Sequence, residues 1–334
     1  MKEKKECTIY DIAKLAGVSA TTVSRVITNN PNVKKSTRAK IQKLIEECHY
    51  TPNETARGLV NQSSRLIGIL ITDVRLSHHA DGVFYVEQEL ARQGYVCLIL
   101  NTGTEEEKQA RCIQLLSQRK VDAAVLMGSI YQTETVSRAI EAYLPTTPVL
   151  LCNGYLNLPN VYGVIADEKN GVENCVELLA GKGKGHLAFV TDNDTPSSRI
   201  KVQGFADAVK RVLPETEPVI VHAEGRRYGA YTATQKLLEE HPETDGILYA
   251  DDVLATVGLH TLRDMGKKVP KDVAVIGINN SFQAELATPR LTSLDNMLFD
   301  QSLTVARTIL ELMNGNRVTK KVMICSEIVE REST

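Results

Sequence analysis

The chain has 334 residues, of which 43% are hydrophobic and 24% charged, and its formal net charge is −2. This length suits two or three domains, and because no apolar run approaches the ~18 residues of a membrane span, we expect neither a membrane segment nor an export signal. The seven cysteines are scattered and never occur as Cys-x-x-Cys, which argues for reduced thiols in a cytosol and against a disulfide framework or a zinc site.

The charge is distributed unevenly along the chain. Residues 1–65 contain twelve Lys and Arg against six Asp and Glu, whereas the remainder contains 27 basic and 35 acidic residues. A basic N-terminal segment followed by an acidic remainder is typical of a nucleic-acid-binding head joined to a domain that does not bind DNA. The distribution therefore predicts a DNA-binding segment near the start of the chain.

The pattern of residues 8–27 predicts two short helices joined by a tight turn, because its apolar residues recur at helical spacing. Thr8 can cap the first helix, and Asp11 three positions later completes a capping box. Gly17 lies where the chain must turn, and Ser19 can cap the second helix. This is the pattern of a helix-turn-helix DNA-binding motif.

The second of these helices is the candidate recognition helix. When its apolar stripe faces inward, its outward residues are Ala20, Thr21, Ser24 and Arg25. We expect Ala20, Thr21 and Arg25 to read base edges in a major groove, with Arg25 preferring guanine. The same pattern also fits an ordinary helical hairpin, so the neighbouring segments decide between the two interpretations.

Two further segments follow the helix pair. An amphipathic third helix is predicted at about 36–48, after the breaker Asn29-Asn30-Pro31. Asn53 can then cap a short helix through Val60. A helix of about eight residues is marginal alone, so this last one needs a partner.

The runs TIYDIAKLAGVS, TTVSRV and YTPNETARGL resemble the headpiece of the LacI/GalR family of bacterial regulators, and a looser resemblance covers nearly the whole chain. The resemblance implies a homodimer on a pseudo-palindromic double-stranded DNA operator. It also implies that the short helix is a hinge helix, with Leu59 as a wedge in the minor groove. The DNA-binding residues that we predict are Thr8, Ser19, Ala20, Thr21, Thr22, Ser24, Arg25, Asn32, Tyr50, Asn53, Ala56, Arg57 and Leu59.

The remainder of the chain alternates short apolar runs with helical patterns. Strands are predicted at 66–72, 96–100, 123–127 and 149–152, and again at 187–191, 219–222, 246–250 and 273–278. Helices are predicted between them, at about 80–93, 105–118, 133–142, 168–181, 198–211, 228–240 and 253–265. This alternation predicts two parallel sheets, each covered by helices on both faces.

The predicted fold class is an all-α helix-turn-helix headpiece with a hinge helix, followed by an α/β body of two doubly wound subdomains that resembles a periplasmic binding protein. The predicted domains are the headpiece and hinge helix at 1–60, a linker at 61–65, and an effector-binding and dimerisation domain at 66–334. Subdomain one comprises about 66–163 and 294–322, and it includes a helix near 298–314. Subdomain two comprises about 164–293 and 323–334. One final strand is expected around 321–329.

In such a fold the ligand lies between the subdomains, at the carboxyl ends of the strands. His78 and His79 stand where the family carries two aromatics, which argues against an ordinary neutral sugar and for an anionic or highly polar effector, unless both are merely exposed at a helix start. Lys201 stands where the family has an arginine, with Arg199 two residues earlier, so either could be the cationic contact. The effector-binding residues that we predict are Asp73, His78, His79, Asn101, Arg199, Lys201, Asp251 and Asn279.

We therefore expect a cytoplasmic, nucleoid-associated DNA-binding transcriptional regulator, acting as a repressor, whose operator affinity is controlled allosterically by a sugar or sugar derivative. The alternatives are a carbon-catabolite regulator controlled by a phosphorylated carrier protein, and a solute-binding receptor without a regulatory role. The sequence contains no G-x-S-x-G elbow, H-E-x-x-H motif or kinase signature, and the glycine-rich run 181–186 precedes a strand and lacks phosphate-loop spacing. We expect no enzyme activity, no cofactor, no metal site and no membrane partner.

Overall fold

The computed structural model describes residues 7–51, 63–225 and 227–334. The chain divides into two compact units, Met1–Ser64 and Arg65–Thr334, which we call the head and the body. The predicted hinge helix, with Asn53, Ala56, Arg57 and Leu59, lies outside the described residues. In the described part of the chain, no helix has both the length and the apolar character needed to cross a membrane.

The described part of the head, residues 7–51, contains three helices packed around a small apolar core. Helix α1 spans Ile9–Ala16, α2 spans Ala20–Ile27 and α3 spans Lys35–Glu47. All three contribute buried side chains to the core, which contains Ile12, Ala13, Ala16, Val23, Val26 and Ile41. The predicted helix-turn-helix is confirmed, and the third helix lies one residue earlier than expected.

Hydrogen-bonded caps define the two short helices of the motif. Thr8 Oγ1 accepts a hydrogen bond from Asp11 N at 3.3 Å, and Asp11 Oδ2 accepts one from Thr8 N at 2.9 Å. Gly17 turns the chain with a φ of +71°, a left-handed conformation that glycine adopts at little cost. Ser19 Oγ accepts from Thr22 N at 3.2 Å and starts α2. The predicted capping box and second cap are confirmed.

Replacing Thr8 with alanine should destabilise the head by about 1 kcal/mol, because the Asp11 amide loses its acceptor at the start of α1. Amide hydrogen exchange in peptides from the head measures the effect in the full chain. Ser36→Ala is the matched control, since Ser36 is exposed near the start of α3. Equal exchange rates in the two variants would contradict a stabilising cap.

The first lobe of the body is a six-stranded parallel sheet. Its strands are β1 (Leu66–Ile71), β2 (Val96–Asn101), β3 (Ala123–Met127), β4 (Val149–Cys152), β5 (Val161–Ala166) and β11 (Lys321–Ile324), in the order β11, β5, β4, β3, β1, β2. Its helices are α4 (Ser77–Ala91), α5 (Glu106–Gln118), α6 (Glu134–Tyr143) and α12 (Leu298–Met313). Side chains alternate between the faces of β1, so that Ile69 enters one apolar core and Leu70 the other.

The second lobe is built in the same way. Its strands are β6 (Leu187–Thr191), β7 (Val219–His222), β8 (Gly246–Tyr249), β9 (Ala274–Ile278), β10 (Thr292–Asp295) and β12 (Glu327–Val329), in the order β12, β10, β9, β8, β6, β7. All pairs are parallel except β10 with β12. Its helices are α7 (Glu168–Gly181), α8 (Pro196–Val212), α9 (Arg227–Glu240), α10 (Asp252–Asp264) and the short α11 (Phe282–Leu286). The predicted body of two doubly wound units is confirmed.

Three features of the body differ from the sequence-based expectation. The sequence pattern predicts no strand where the structure has β5 and β10. The single final strand expected at 321–329 is wrong, because β11 and β12 belong to different sheets and the chain changes lobe between them. Helix α4 starts at Ser77, whereas the sequence pattern predicted a start near residue 80. The pattern missed the first turn because that turn is polar and carries no apolar periodicity.

The chain passes between the lobes three times. The crossovers lie at Asp167 between β5 and α7, at 296–297 between β10 and α12, and at 325–326 between β11 and β12. The predicted subdomain boundaries at 293/294 and 322/323 fall inside β10 and β11. The crossovers bring three short chain segments to one place between the two sheets.

Candidate functional site

The exposed side of α2 carries short polar groups and one arginine. Val23 and Val26 are buried against the other two helices, which leaves Thr21, Ser24 and Arg25 exposed, as expected. Ala20 is half-buried and packs against the head core, and the Thr22 hydroxyl lies 2.9 Å from the Ser19 hydroxyl at the cap. The surface available to a DNA groove is therefore centred on Thr21, Ser24 and Arg25.

The other predicted DNA-binding residues of the described head lie around its helix ends. Thr8 and Ser19 are the exposed caps of α1 and α2. Asn32 is exposed in the loop before α3, and its backbone amide donates to Asn30 Oδ1 at 3.0 Å. Tyr50 is half-buried and packs against the head core. The contact of these residues with DNA stays a prediction.

A cavity of about 280 Å³ lies between the two lobes of the body. It is lined by residues that follow the carboxyl ends of strands in both sheets, which is where doubly wound sheets bind ligands. Those residues are Thr72 after β1, Gly128 and Ser129 after β3, Asn153 after β4, Asp192 after β6, Asp251 after β8 and Asn279 after β9.

Five of the eight predicted effector residues line this cavity: His78, His79, Lys201, Asp251 and Asn279. The other three do not line it but order the loops beside it. Asp73 pairs with Arg75 at 2.6 Å, Asn101 Oδ1 accepts from Val74 N at 3.0 Å, and Arg199 pairs with Asp194 at 3.1 Å. Of the two candidate cations in α8, Lys201 is therefore the one that faces the cavity.

Lys201 forms a buried ion pair with Glu168, the first residue of α7. Lys201 Nζ lies 3.7 Å from Glu168 Oε1 and donates to Ala250 O at 3.3 Å. Glu168 Oε1 also accepts from Ser197 Oγ at 2.8 Å and Asn153 Nδ2 at 3.2 Å. The ammonium charge is thus balanced inside the protein. Sequence reasoning missed Glu168, because an acidic residue at a helix start is ordinary.

Asn296 links the cavity to the crossovers. It is buried at the second crossover, where its Nδ2 donates to Glu168 Oε1 at 3.3 Å and its Oδ1 accepts from Ser326 Oγ at 3.1 Å. Glu168 follows the first crossover and Ser326 lies in the third. The carboxylate that neutralises Lys201 is therefore also bonded to a segment that joins the two lobes.

The two histidines lie at the start of α4 and differ in their surroundings. His79 Nδ1 is 3.0 Å from Thr72 Oγ1. His78 Nδ1 is buried and has no hydrogen-bond partner among the described residues. Burial, with smaller contributions from His79 and Lys201, lowers the pKa of His78 to about 3. His78 is therefore neutral at physiological pH, and its Nδ1 atom is buried without a hydrogen-bond partner among the described residues.

Asp252 is a buried carboxyl in the cavity wall. Its Oδ2 accepts from Ser281 N at 2.6 Å and Ser281 Oγ at 2.8 Å, and its Oδ1 accepts from Ser293 Oγ at 2.6 Å. Burial raises the pKa of Asp252 to about 7, which these hydrogen bonds only partly oppose. Asp251, the N-cap of α10, accepts from Leu254 N at 2.7 Å. Both acids of this pair are therefore held by structural bonds.

His78 and Asp252 should give the unfolding free energy opposite pH dependences. The folded pKa of Asp252 is about 7 against 3.8, so the folded protein holds the extra proton and stability falls as pH rises through that window. The folded pKa of His78 is about 3 against 6.5, so the unfolded chain holds the extra proton and stability falls as pH falls through that window. The two slopes, each up to about 1.4 kcal/mol per pH unit, offset one another where the windows overlap.

Urea unfolding of single variants should separate the two contributions. Asp252→Asn should lose stability on acidification more steeply than the wild type, and His78→Asn should gain stability relative to the wild type on acidification. Slopes that change in the same direction in both variants would contradict the assigned protonation states.

Comparison with known proteins places both units in recognised groups. Residues 8–53 match the lacI family of bacterial regulatory proteins, and residues 176–334 match a periplasmic binding protein-like domain. An HTH-type transcriptional regulator of Lachnoclostridium phytofermentans is 31% identical over 331 residues, spanning 98% of this chain and 99% of that protein. Catabolite control protein A of Priestia megaterium is 29% identical with the same coverage.

Solved structures share this fold over most or nearly all of the chain. The lac repressor dimer bound to operator and the anti-inducer ONPF superposes with a TM-score of 0.89 at 23% identity, covering 98% of this chain and 99% of that one. The complex of the transcriptional regulator CelR with cellobiose gives 0.71 at 23% identity, covering 98% and 100%. A lacI family regulator of Enterococcus faecium with bound ribose gives 0.72 at 21% identity, covering 80% and 98%.

Proposed function

The chain belongs to the lacI family of bacterial regulatory proteins and is a DNA-binding transcriptional regulator, and we propose that it is a homodimeric repressor whose operator affinity responds to a small effector in the inter-lobe cavity. The observation that carries this proposal is a polar cavity whose carboxylate, Glu168, is bonded to the crossover residue Asn296. A ligand that contacts Lys201 or Glu168 would act directly on the segment that joins the lobes. The two lobes also touch across the cavity mouth, where Ser77 Oγ donates to Gln283 Oε1 at 3.3 Å.

We propose that the effector is a neutral, hydroxyl-rich molecule of sugar size. Among the described residues, the cations that line the cavity are Arg75 and Lys201, which are paired with Asp73 and Glu168, and His78 is neutral. Of the four carboxyl groups that line it, Glu168 balances Lys201 and Asp252 has a pKa raised to about 7, which leaves Asp192 and Asp251 as further acids of the lining. An anionic effector would meet like charge in a partly desolvated site, whereas hydroxyl groups find many donors and acceptors there. The charge balance thus favours a neutral effector over the anionic one expected from the two histidines.

Two experiments on the full-length protein test these proposals. A thermal-shift screen compares neutral sugars and polyols with sugar acids and sugar phosphates, and we expect stabilisation by a neutral compound. Selection from random duplexes identifies the operator, and anisotropy then measures its affinity with and without the hit. Stabilisation by anions alone would contradict the effector class, and an unchanged operator affinity at saturating hit would contradict the allosteric control.

The hinge segment is part of the proposal, although it lies outside the described residues. By the family resemblance, Leu59→Ala should reduce DNA bending and lower operator affinity roughly tenfold or more, because the wedge that unstacks a base step is lost. Leu15→Ala is the matched control, since Leu15 is 58% exposed on α1. A gel-shift bending assay on the selected operator measures the angle. An unchanged angle in Leu59→Ala would eliminate the wedge.

We propose no catalytic role for the cavity, because Glu168, Asp251 and Asp252 are committed to structural hydrogen bonds. The relatives named above are regulators. The place of action would be the cytoplasm, with the dimer on the nucleoid while it holds its operator.

A further inference from the structure

The recognition helix α2 ends in a turn that its own backbone holds. Thr28 is the C-cap of α2, and Asn29 follows it in the left-handed conformation, with a φ of +55°. Asn29 N donates to Val26 O at 3.0 Å, and Asn30 N donates to Arg25 O at 2.8 Å. These two bonds form the Schellman motif that ends many helices. Because one of them is accepted by the backbone of Arg25, the geometry of the turn fixes the last turn of α2 and the place of Arg25.

Arg38 of α3 binds this turn from the side. Its Nη1 donates to Asn29 Oδ1 at 2.7 Å, and its Nη2 donates to Asn30 O. The residue is half-buried, so the contact is partly shielded from water. Its planar guanidinium donates to two successive residues of the turn at once, which a lysine ammonium cannot do in the same geometry. The side chain of Arg38 is thus engaged with the end of the recognition helix.

We propose that Arg38 is a positioning residue for DNA reading, which fixes the turn after α2 and thereby sets the place of Arg25. The inference rests on the reading of bases by α2 and is independent of the cavity in the body. The ordinary interpretation of a cation on a DNA-binding head is a contact with a phosphate, which depends on charge. A positioning contact depends on the shape of the guanidinium, so the two roles predict different effects of the same substitution.

A second cation of α3 is used in the same way. Lys40 Nζ donates to the backbone oxygen of Ala16, the last residue of α1, at 2.9 Å. Carbonyl groups at the end of a helix have no partner within the helix and carry a partial negative charge, which a cation stabilises. Helix α3 therefore holds the ends of both helices of the helix-turn-helix through cations, which supports an internal role for Arg38.

Arg38→Lys in the full-length protein keeps the charge and removes the planar fork. We expect its affinity for the selected operator to fall roughly tenfold, because a displaced Arg25 loses part of its base contact. Its affinity for a scrambled duplex and its salt dependence should stay as in the wild type. Fluorescence anisotropy at several salt concentrations measures both. Lys43→Arg, the reverse exchange at an exposed position of α3, is the matched control and should change neither affinity.

Asn29→Gly tests the contact from its other side. Glycine adopts the left-handed φ at little cost, so this variant keeps the turn and removes the side-chain acceptor. Because Asn29→Gly and Arg38→Lys remove the same bond, their operator losses should be less than additive in the double variant. Amide exchange in peptides covering residues 25–32 should be faster in each single variant, whereas peptides from α1 should exchange as in the wild type.

Operators with single base-pair changes separate positioning from a general loss of head structure. In Arg38→Lys the loss should be concentrated at the base pair that Arg25 reads, since the buried valines still hold the rest of α2 against the head core. A loss spread equally over all base pairs, additive losses in the double variant, or wild-type operator affinity in Arg38→Lys would overturn the proposal. Wild-type discrimination in Arg25→Ala would instead overturn the reading of bases by Arg25, on which the proposal rests.

Discussion

Replacing Arg25 with alanine should remove about 1–3 kcal/mol of operator discrimination per half-site, roughly a tenfold to hundredfold loss each. Arg25 is exposed in the last turn of α2, where the neighbouring valines hold the helix against the rest of the head. A guanidinium in that position can donate two parallel hydrogen bonds to guanine O6 and N7. Because a dimer uses two half-sites, specific affinity should fall by the sum of both losses. Fluorescence anisotropy on the selected operator and on a scrambled duplex measures specific and non-specific affinity separately.

Arg25→Lys is the sharper control for this role. It keeps the positive charge but lacks the planar fork that contacts two acceptors on one base. We expect the lysine variant to keep its non-specific affinity and its salt dependence while it loses discrimination at the same base pair. A lysine variant that discriminates as well as the wild type would show that Arg25 contributes charge and not base reading.

The head could be predicted from its sequence because its structure depends on near neighbours. The box of Thr8 with Asp11, the turn at Gly17 and the cap at Ser19 each involve residues within a few positions of one another. Helical spacing of the apolar residues then fixes which side of α2 faces the core. The one difference on the predicted reading surface is Ala20, whose small side chain lies partly under the core rather than fully outward.

The body could be predicted only where its pattern is local. Most strands are apolar runs bounded by turns, and these were located within one or two residues. The end of the chain differs because the lobe that a strand joins depends on tertiary position, and no local pattern distinguishes β11 from β12. The pairing of Lys201 with Glu168 and the burial of His78 Nδ1 also depend on packing between distant segments, so candidates for the cavity could be predicted from the sequence but their charge states could not.

Replacing Lys201 with methionine should destabilise the body by about 3 kcal/mol and abolish effector binding, because methionine has similar length but no charge. The change leaves the buried Glu168 carboxylate without its counter-charge, and it also removes the donor to Ala250 O. Urea unfolding of the full-length protein measures the loss. The transition of the body should move to lower urea with an unchanged slope, since the surface exposed on unfolding is the same.

The double variant Lys201→Met with Glu168→Gln distinguishes a true ion pair from simple packing. Glutamine is isosteric with glutamate and can still accept from Ser197 and Asn153, so removing both charges together should recover most of the stability lost in Lys201→Met. Glu168→Gln alone should be destabilised, because it leaves the lysine charge buried. If the two single losses simply add in the double variant, the two charges do not interact. Lys201 would then present an unbalanced cation to the effector, which contradicts the preference for a neutral ligand. If the losses are strongly non-additive, the internal balance of charge is established independently of any ligand, and the preference for a neutral effector follows from it.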